Sequence, residues 1–458
     1  MTGIHAMGAY APSKRVSGEA FAEAWGRFEG SGIESKAVPD GDEDALTMAT
    51  EAGRRALEVG AFEAGEIEYL AFATTTPPLE EGDLAPRLAS LLAVPETAAV
   101  RTHTGSTRAG MEALLAAIDA DATGLVLVAD APSAEPGDAV EHAAGAGAAA
   151  FLVAPDAPVT VEARTEVNDP APGTRFREAG SSRVEAIDAG TYDRGRFVNP
   201  VSEAVSAIDA DHDAVALQAP DGKLPYRAGK VAGLDAEAIH EAAPVHDLGD
   251  LGAASVPVAL ARAFSQGAER PLAVAWGSGS ALACALAGSA PVSLALDAGE
   301  EVTYAEYLRL RGDITDGEVS GGGAYVSVPT WKRSLPQRHR LEAGRCPECS
   351  ALAFPPDGAC PDCGGLVDFE PVRLPKTGTV EAVTTIGAGG APPEFAPQQA
   401  RSGSFPVAIV AFESDGGVSL PMQAVAPVEV GDTVTAIPRR IYTQEGVTRY
   451  GLKIRPLD

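Results

Sequence analysis

The sequence predicts a layered α/β domain of two similar halves, followed by a metal-binding ribbon and a small all-β barrel. Three observations lead to this prediction. Short apolar runs alternate with alanine-rich helical stretches over most of the chain, four cysteines form two CxxC pairs, and short strand patterns fill the C-terminal part. A chain of 458 residues favours two or three domains over a single core.

The α/β prediction rests on runs that alternate between strand and helix patterns. YLAFATTT and GLVLVADAP are typical of buried strands, whereas ALTMATEAGRRALEVG and RAGMEALLAAIDA have helical spacing. The theme then repeats with the strand AVALQAP, the helix VPVALARAFSQG and the glycine-interrupted run PLAVAWGSGSALACALAG. We therefore expect a layered fold in two halves, about 1–160 and 161–322.

A change in composition near Gly321, Gly322 and Gly323 predicts the main domain boundary. Residues 325–458 carry 13 basic and 14 acidic side chains, which leaves 22 basic and 50 acidic ones for the rest of the chain. We expect an α/β domain over 1–322, a helical lead-in with a ribbon over 323–370, and a barrel over 371–458.

The strong acidity indicates adaptation to salt. The formal net charge is −29, with seven lysines against 28 arginines. Dense carboxylates keep a protein hydrated where salt screens their mutual repulsion, but they destabilise a compact state at low salt. We expect a halophilic, archaeal source, which would make the acidity a property of the host.

Membrane insertion and export are not indicated. No uncharged apolar run reaches the about 18 residues that a spanning helix needs, and MTGIHAMGAYAPSKRV lacks the pattern of a secretory signal. We expect a cytoplasmic protein that makes no contact with membranes.

The strongest local motif is a pair of CxxC knuckles, Cys346 with Cys349 and Cys360 with Cys363. Each knuckle can present two thiolates to one cation, and four thiolates complete a tetrahedral zinc shell with no position open for catalysis. The alternative is two disulfides or unrelated thiols, which a reducing cytoplasm disfavours.

The fifth cysteine, Cys284, lies in the apolar run SALACALAG, so we expect it to be a buried residue that packs as a small hydrophobic side chain.

The C-terminal region resembles the zinc-ribbon and OB-fold proteins that accompany acyl-CoA enzymes. The resemblance covers about 327–458 and rests on PQRHRLEAGRCPECSALAFPPDGACPDCGG, FPVAIVAF and RRIYTQEGVTRYGLKIRP. It implies a rubredoxin-like ribbon, an OB-fold barrel, and docking onto a thiolase-type partner. Five cations could contact CoA phosphates or lie at solvated strand ends: Arg439, Arg440, Arg449, Lys453 and Arg455.

The first 320 residues resemble the hydroxymethylglutaryl-CoA synthase family of the thiolase superfamily. The matching stretches are GAYAPSKRV, DEDALTMATEAGRRAL, HDLGDLGAASVPVALARAF, AWGSGSALA and VTYAEYLRLRGDI. The resemblance implies a duplicated α/β thiolase-like fold, self-association through this domain, and CoA thioesters as ligands.

Condensing members of that family use a cysteine nucleophile, a glutamate and a histidine. At the matching positions this chain has Thr107 for the cysteine, Thr75 for the glutamate and Gln218 for the histidine, and Asp250 replaces an asparagine. A threonine hydroxyl needs a strong base before it can attack a thioester. We expect no catalytic residue here.

The leading prediction is therefore a noncatalytic accessory subunit that supports a separate thiolase or condensing enzyme. Two alternatives stay open. The chain could be a self-sufficient acyl-CoA acyltransferase that uses Ser106 or Thr107 with His103 as base. It could also be an OB-fold nucleic-acid-binding or regulatory scaffold, which the balanced charge of the C-terminal region and the acidic domain before it disfavour.

Overall fold

The computed structural model describes residues 2–187, 191–297, 299–315, 326–387, 389–412 and 417–457. The chain divides into two compact units. Unit 1 comprises residues 1–89 and 94–308, and unit 2 comprises 90–93 and 309–458. The predicted boundary at Gly321 to Gly323 lies outside the described residues.

The described chain from residue 2 to residue 155 contains seven strands and five α-helices, besides a 3-10 helix at Ala64–Glu66. In chain order they are β1 (Thr2–Tyr10), β2 (Lys14–Ser17), α1 (Gly18–Trp25), β3 (Ser35–Val38), α2 (Ala45–Val59), β4 (Tyr69–Ala73), α3 (Ala85–Leu92), β5 (Ala99–His103), α4 (Ala109–Asp119), β6 (Gly124–Asp130), α5 (Ala139–Ala143) and β7 (Gly147–Pro155).

The following elements, up to residue 311, are β8 (Thr160–Asn168), α6 (Thr191–Ser206), β9 (Ala214–Leu217), α7 (Leu224–Ala232), α8 (Ala236–Ala242), α9 (Val245–Leu248), α10 (Ser255–Ser265), β10 (Pro271–Gly277), β11 (Ser280–Ala287), β12 (Val292–Ala295), β13 (Glu300–Glu301) and α11 (Tyr304–Arg311).

Two sheets of unit 1 repeat one pairing pattern. In the order β12-β1-β7-β6-β4-β5, β7 pairs antiparallel with both β1 and β6, and β6 pairs parallel with β4. In the order β8-β11-β10-β9, β11 pairs antiparallel with β8 and β10, and β10 pairs parallel with β9. This internal repeat agrees with the predicted duplicated α/β fold.

Helices α4 and α10 share the largest apolar core with strands of both sheets. Their close approach depends on Gly110 in α4, since a Cβ there would lie 2.4 Å from the carbonyl oxygen of Ala253 and 2.9 Å from Pro257. Contacts that short require atoms to move apart. The glycine therefore fixes the start of α4 against the loop that precedes α10.

Unit 2 begins with two short helices and a three-stranded sheet, followed by a five-stranded one. Its elements are α12 (Val328–Arg333), α13 (Leu335–Arg340), β14 (Glu342–Arg345), β15 (Leu352–Ala353), β16 (Glu370–Arg373), β17 (Thr377–Ile386), α14 (Ala396–Ser402), β18 (Phe405–Phe412), β19 (Val418–Gln423), β20 (Thr433–Gln444) and β21 (Val447–Pro456).

The five-stranded sheet forms a nearly closed antiparallel barrel in the order β19-β18-β17-β20-β21. Closure comes from the backbone hydrogen bond that Val425 N–H donates to Ile454 O at 3.0 Å, beside a single bridge between Ala424 and Ile454. Alternate residues such as Val410, Phe412 and Val434 fill its interior. This small barrel agrees with the predicted OB fold.

Candidate functional site

The ribbon brings its four cysteine sulfurs together. The Sγ atoms of Cys346, Cys349, Cys360 and Cys363 all lie within 4.8 Å of one another. Cys346 Sγ is 3.8 Å from Cys363 Sγ, and Cys349 Sγ is 3.5 Å from Cys360 Sγ, and all four thiols are free. Four sulfur donors at this spacing fit a tetrahedral Zn²⁺ shell.

The two knuckles have matching backbone turns, which explains how the CxxC spacing folds. Cys346 N–H donates to Ala351 O, and Ser350 N–H donates back to Cys346 O, both at 2.9 Å. In the second knuckle Cys360 N–H donates to Gly365 O at 2.8 Å, and Gly364 N–H donates to Cys360 O at 3.0 Å. The two similar hairpins thus present paired sulfurs to a common centre.

A second candidate site is a cavity of about 340 Å³ in unit 1. It is called the relic pocket after the prediction that Thr75 and Thr107 stand in place of catalytic residues. Its lining residues are Thr75, Gly105, Ser106, Thr107, Arg108, Arg175, Phe176, Arg177, Val184, Gly277, Ser278 and Ser280. It therefore contains hydroxyl groups and guanidinium groups. Within the described parts of the chain, its lining includes no thiol, imidazole or carboxylate.

The two hydroxyls at the start of α4 are held by hydrogen bonds. Thr107 is 5% exposed and donates its hydroxyl proton to the carbonyl oxygen of Trp276 at 2.5 Å. Ser106 Oγ accepts from the backbone N–H of Arg108 at 3.2 Å. A nucleophilic hydroxyl must hand its proton to a base. For Thr107 the acceptor is a carbonyl oxygen, which is not a base of useful strength.

Thr75 contributes to a carboxylate hub that the sequence analysis missed. Its hydroxyl donates to Asp130 Oδ2 at 2.7 Å, and its backbone N–H donates to Asp130 Oδ1 at 2.6 Å. Thr74, Thr76 and Ala253 also donate to Asp130, which is fully buried. The only sequence signal for this hub is an aspartate at the end of the strand GLVLVAD.

Gln218 and Asp250 meet at the loop that precedes α10. The Gln218 Nε2 amide, 1% exposed, donates to Gly252 O at 2.9 Å. Asp250 accepts from Gly252 N–H at 2.9 Å and from Ser255 at 3.2 Å, and it forms an ion pair with Arg175. Gln218 and Asp250 thus meet around Gly252, where their polar groups bond to backbone groups and to Ser255 and Arg175.

His103 ends β5 and is half buried. Burial lowers the pKa of its imidazole, with a smaller opposing effect from Glu112. It does not line the relic pocket.

Cys284 is fully buried in β11, where burial raises the pKa of its thiol to about 12. Such a thiol stays protonated near neutral pH and packs as a small apolar residue.

The expectation that the five barrel cations lie at solvated strand ends is wrong for three of them. Arg439, Arg449 and Lys453 are 5%, 4% and 0% exposed, whereas Arg440 and Arg455 are half buried. The sequence suggested exposure because charged residues flank turns, but strand alternation places several of them on a covered face. Their role as CoA ligands stays a prediction.

Unit 2 also contains a largely apolar cavity of about 720 Å³. Phe354, Phe395, Phe405 and Leu452 are among its lining residues, together with Arg338. Trp331 lies nearby, with the Arg338 guanidinium 4.1 Å from the centre of its ring.

Among the helices that the structure describes, none combines the length and apolar character that a bilayer crossing requires.

Comparison with known proteins supports both halves of this description. Residues 333–370 match the family model of the ChsH2 rubredoxin-like zinc ribbon domain. The chain is 29% identical over 303 residues to the hydroxymethylglutaryl-CoA synthase of Archaeoglobus fulgidus, covering 61% of this chain and 87% of that protein. It is 26% identical over 344 residues to that of Aeropyrum pernix, covering 68% of this chain and 94% of that protein.

Solved structures give the same fold. HMG-CoA synthase complexed with CoA aligns with a TM-score of 0.61 at 16% identity, and MvaS in complex with 3-hydroxy-3-methylglutaryl coenzyme A aligns at 0.59 with 20% identity. Each alignment covers 71% of this chain and 94% of the other. The chain therefore joins a thiolase-like domain, similar to hydroxymethylglutaryl-CoA synthases, to a ChsH2-type rubredoxin-like zinc ribbon.

Proposed function

We propose that this chain is a noncatalytic accessory subunit of a thiolase-type acyl-CoA condensing complex. The observation that carries the proposal is the composition of the relic pocket, whose described lining holds hydroxyls and guanidiniums but no thiol, imidazole or carboxylate. Condensation needs a group that carries the acyl chain and a base that moves protons. The scaffold is retained while those groups are replaced.

Hydrogen bonding supports the same proposal. Thr107 donates to a carbonyl oxygen, Thr75 donates to Asp130, and Gln218 donates to Gly252 O. Each side chain at a degenerate position thus holds the fold together. The buried carboxylate of Asp130 accepts six hydrogen bonds from Thr74, Thr75, Thr76 and Ala253, which leaves it little capacity to accept a substrate proton.

The ribbon supplies the docking part of the proposal. We infer that Cys346, Cys349, Cys360 and Cys363 hold a structural zinc ion, because their sulfurs form a complete four-donor set. The ion would stabilise the hairpins and thereby the surface around them. A thiolase-like unit and a ribbon on one chain can contact a partner at two points, which raises the effective concentration of the second contact.

The comparisons add a reason to expect acyl-carrying partners. One solved relative of the fold is the Curacin biosynthetic HMG synthase in complex with acetyl donor-ACP, at 14% identity and a TM-score of 0.56. We propose that acyl groups reach this complex as CoA thioesters, and that the competent enzyme is a separate thiolase or condensing subunit.

The test is reconstitution with a thiolase encoded beside this gene. We expect the purified full-length chain to show no condensation or thiolysis of acyl-CoA alone, to co-elute with the thiolase, and to raise its activity or stability. Ser106→Ala combined with Thr107→Val should leave the activity of the complex unchanged within about twofold. Substantial turnover by the isolated chain, or no complex with any such thiolase, contradicts the proposal.

A self-sufficient acyltransferase is the second candidate, and Ser106 favours it. The Ser106 hydroxyl lines the relic pocket and accepts a hydrogen bond from Arg108 N–H, so its own proton stays available. An acyl-enzyme mass increment after incubation with acetyl-CoA, abolished by Ser106→Ala, would establish this function. We expect no such increment.

A further inference from the structure

The relic pocket has an arginine-rich wall that neither the fold nor the missing condensing groups explain. Arg108 occupies the N-cap position of α4, and Arg175 and Arg177 come from the segment between β8 and α6. All three line the same cavity of about 340 Å³. Two chain segments that are distant in sequence therefore contribute arginines to the wall of one cavity.

Neighbouring carboxylates only partly neutralise these charges. Arg175 pairs through Nη1 with Asp250, and its Nη2 is buried without a hydrogen-bond partner. Arg108 pairs through Nη2 with Glu112 at 2.8 Å, and its Nη1 lies 3.8 Å from a Glu166 carboxylate oxygen. Its Nε and Nη1 are buried without a hydrogen-bond partner. Arg177 forms no ion pair within the described parts of the chain. Buried donors left without acceptors are costly, so the pocket favours an incoming acceptor.

The other polar groups of the pocket do not supply that acceptor. The Thr75 hydroxyl donates its hydrogen bond to Asp130, and the Thr107 hydroxyl donates to the carbonyl oxygen of Trp276. Ser106 accepts from Arg108 N–H and keeps its own proton to donate. No carboxylate lines the cavity in the described chain. The hydroxyl oxygens of Thr75, Thr107 and Ser106 keep lone pairs, but no anionic acceptor lines the cavity in the described chain, and three of its lining residues are cationic.

We propose that the relic pocket binds a small oxyanion, the carboxylate or phosphate group of an organic ligand, without any covalent step. Guanidinium groups recognise both groups through paired N–H donors, and charge-assisted hydrogen bonds of this kind are the strong ones. Ser106 would add one neutral donor. The inference does not depend on the accessory role, since binding is a property of the isolated chain.

In the proposed site, the ion pair with Asp250 lowers the affinity of Arg175 for an added anion. Asp250 pairs with Arg175 but does not itself line the cavity. Asp250→Asn keeps the oxygen that accepts from Gly252 and Ser255 but removes the negative charge. The freed guanidinium should then hold an anion more tightly, an increase that loss of fold cannot produce.

The experiment is calorimetric titration of the full-length, zinc-loaded chain with two separate probes, inorganic phosphate and glutarate, at one fixed ionic strength. We expect one site per chain for at least one probe, and the preferred probe identifies the source of the oxyanion. Arg177→Gln should weaken binding about tenfold, which is about 1.4 kcal/mol. Asp250→Asn should tighten it severalfold.

Arg227→Gln is the matched control, because Arg227 is exposed on α7 and does not line the pocket. Its affinity should equal that of the unmodified chain. Arg108→Gln provides a second weakening variant, and equal unfolding midpoints show that the variants fold. The proposal is overturned if neither probe binds with a Kd below about 1 mM, or if Arg227→Gln and Arg177→Gln weaken binding equally.

Discussion

The relic pocket and the ribbon differ in what they retain. The ribbon presents four sulfurs at one centre, a complete ligand set at the spacing that its motif predicts. In the thiolase-like unit, Thr75, Thr107 and Gln218, the positions at which the sequence predicts replaced catalytic residues, hydrogen-bond to the protein itself. A fold and its reactivity depend on different side chains, so a retained fold does not by itself imply retained chemistry, whereas a complete ligand set directly indicates a metal site.

The largest expected effect follows from removing zinc ligands, which should unfold the ribbon. Cys346→Ser with Cys360→Ser removes one sulfur from each knuckle, and structural zinc contributes about 10 kcal/mol or more to such small folds. We expect loss of bound zinc, measured by atomic emission, and rapid hydrogen exchange over residues 342–373.

Cys284→Ala is the control for that change, because Cys284 is a free thiol buried in unit 1. It should keep one zinc per chain. If the variant with both Cys346→Ser and Cys360→Ser retains zinc and slow hydrogen exchange, the contrast drawn between the ribbon and the relic pocket does not hold.

The carboxylate hub comes next in magnitude. Asp130→Ala leaves buried donors from Thr74, Thr75, Thr76 and Ala253 without their acceptor. We expect the free energy of unfolding of unit 1 to fall by about 3–5 kcal/mol, measured by urea denaturation. Thr75→Val removes only one of these donors and should cost about 1 kcal/mol. Equal effects would mean that Asp130 is not a hub.

Acid should weaken unit 2 through His339. Burial lowers the pKa of this imidazole to about 4, from an ordinary value of 6.5. The unfolded chain therefore binds a proton that the folded chain does not, and stability is lost as the pH falls from about 6.5 to about 4. The loss approaches about 3 kcal/mol.

His339→Gln should flatten that pH dependence over the same range, measured as unfolding midpoints in urea between pH 7 and pH 4.5. His103, whose pKa burial also lowers, lies in unit 1, so His103→Gln serves as the comparison. Hydrogen exchange assigns each change to its unit. Identical slopes for the His339→Gln variant and the unmodified chain would exclude this source of acid sensitivity.

The smallest expected effect concerns restored chemistry. Thr107→Cys returns a thiol to the nucleophile position, but no imidazole lines the described pocket to activate it. We expect no acylated protein by mass spectrometry after incubation with acetyl-CoA. A stable acyl adduct would mean that the pocket still supports acyl transfer to a thiol, contrary to what its lining indicates.

Local patterns predicted much of this molecule. The cysteine pairs specify the ribbon because each knuckle is a short-range turn, and the strand and helix periodicities gave the duplicated α/β fold and the barrel. The hub at Asp130 and the Arg175–Asp250 pair could not be predicted, since their partners lie 55 and 75 residues away in the chain. Burial of Lys453 escaped prediction because strand alternation does not tell which faces other segments cover.

The near closure of the barrel limits how unit 2 can associate. Where Val425 N–H donates to Ile454 O, β19 and β21 approach each other, and the backbone groups there are already used. Exposed sheet edges recruit extended segments from other chains and promote aggregation. Recognition through this barrel should therefore read side-chain shape and charge rather than add a strand, which favours a selective partner over indiscriminate strand pairing.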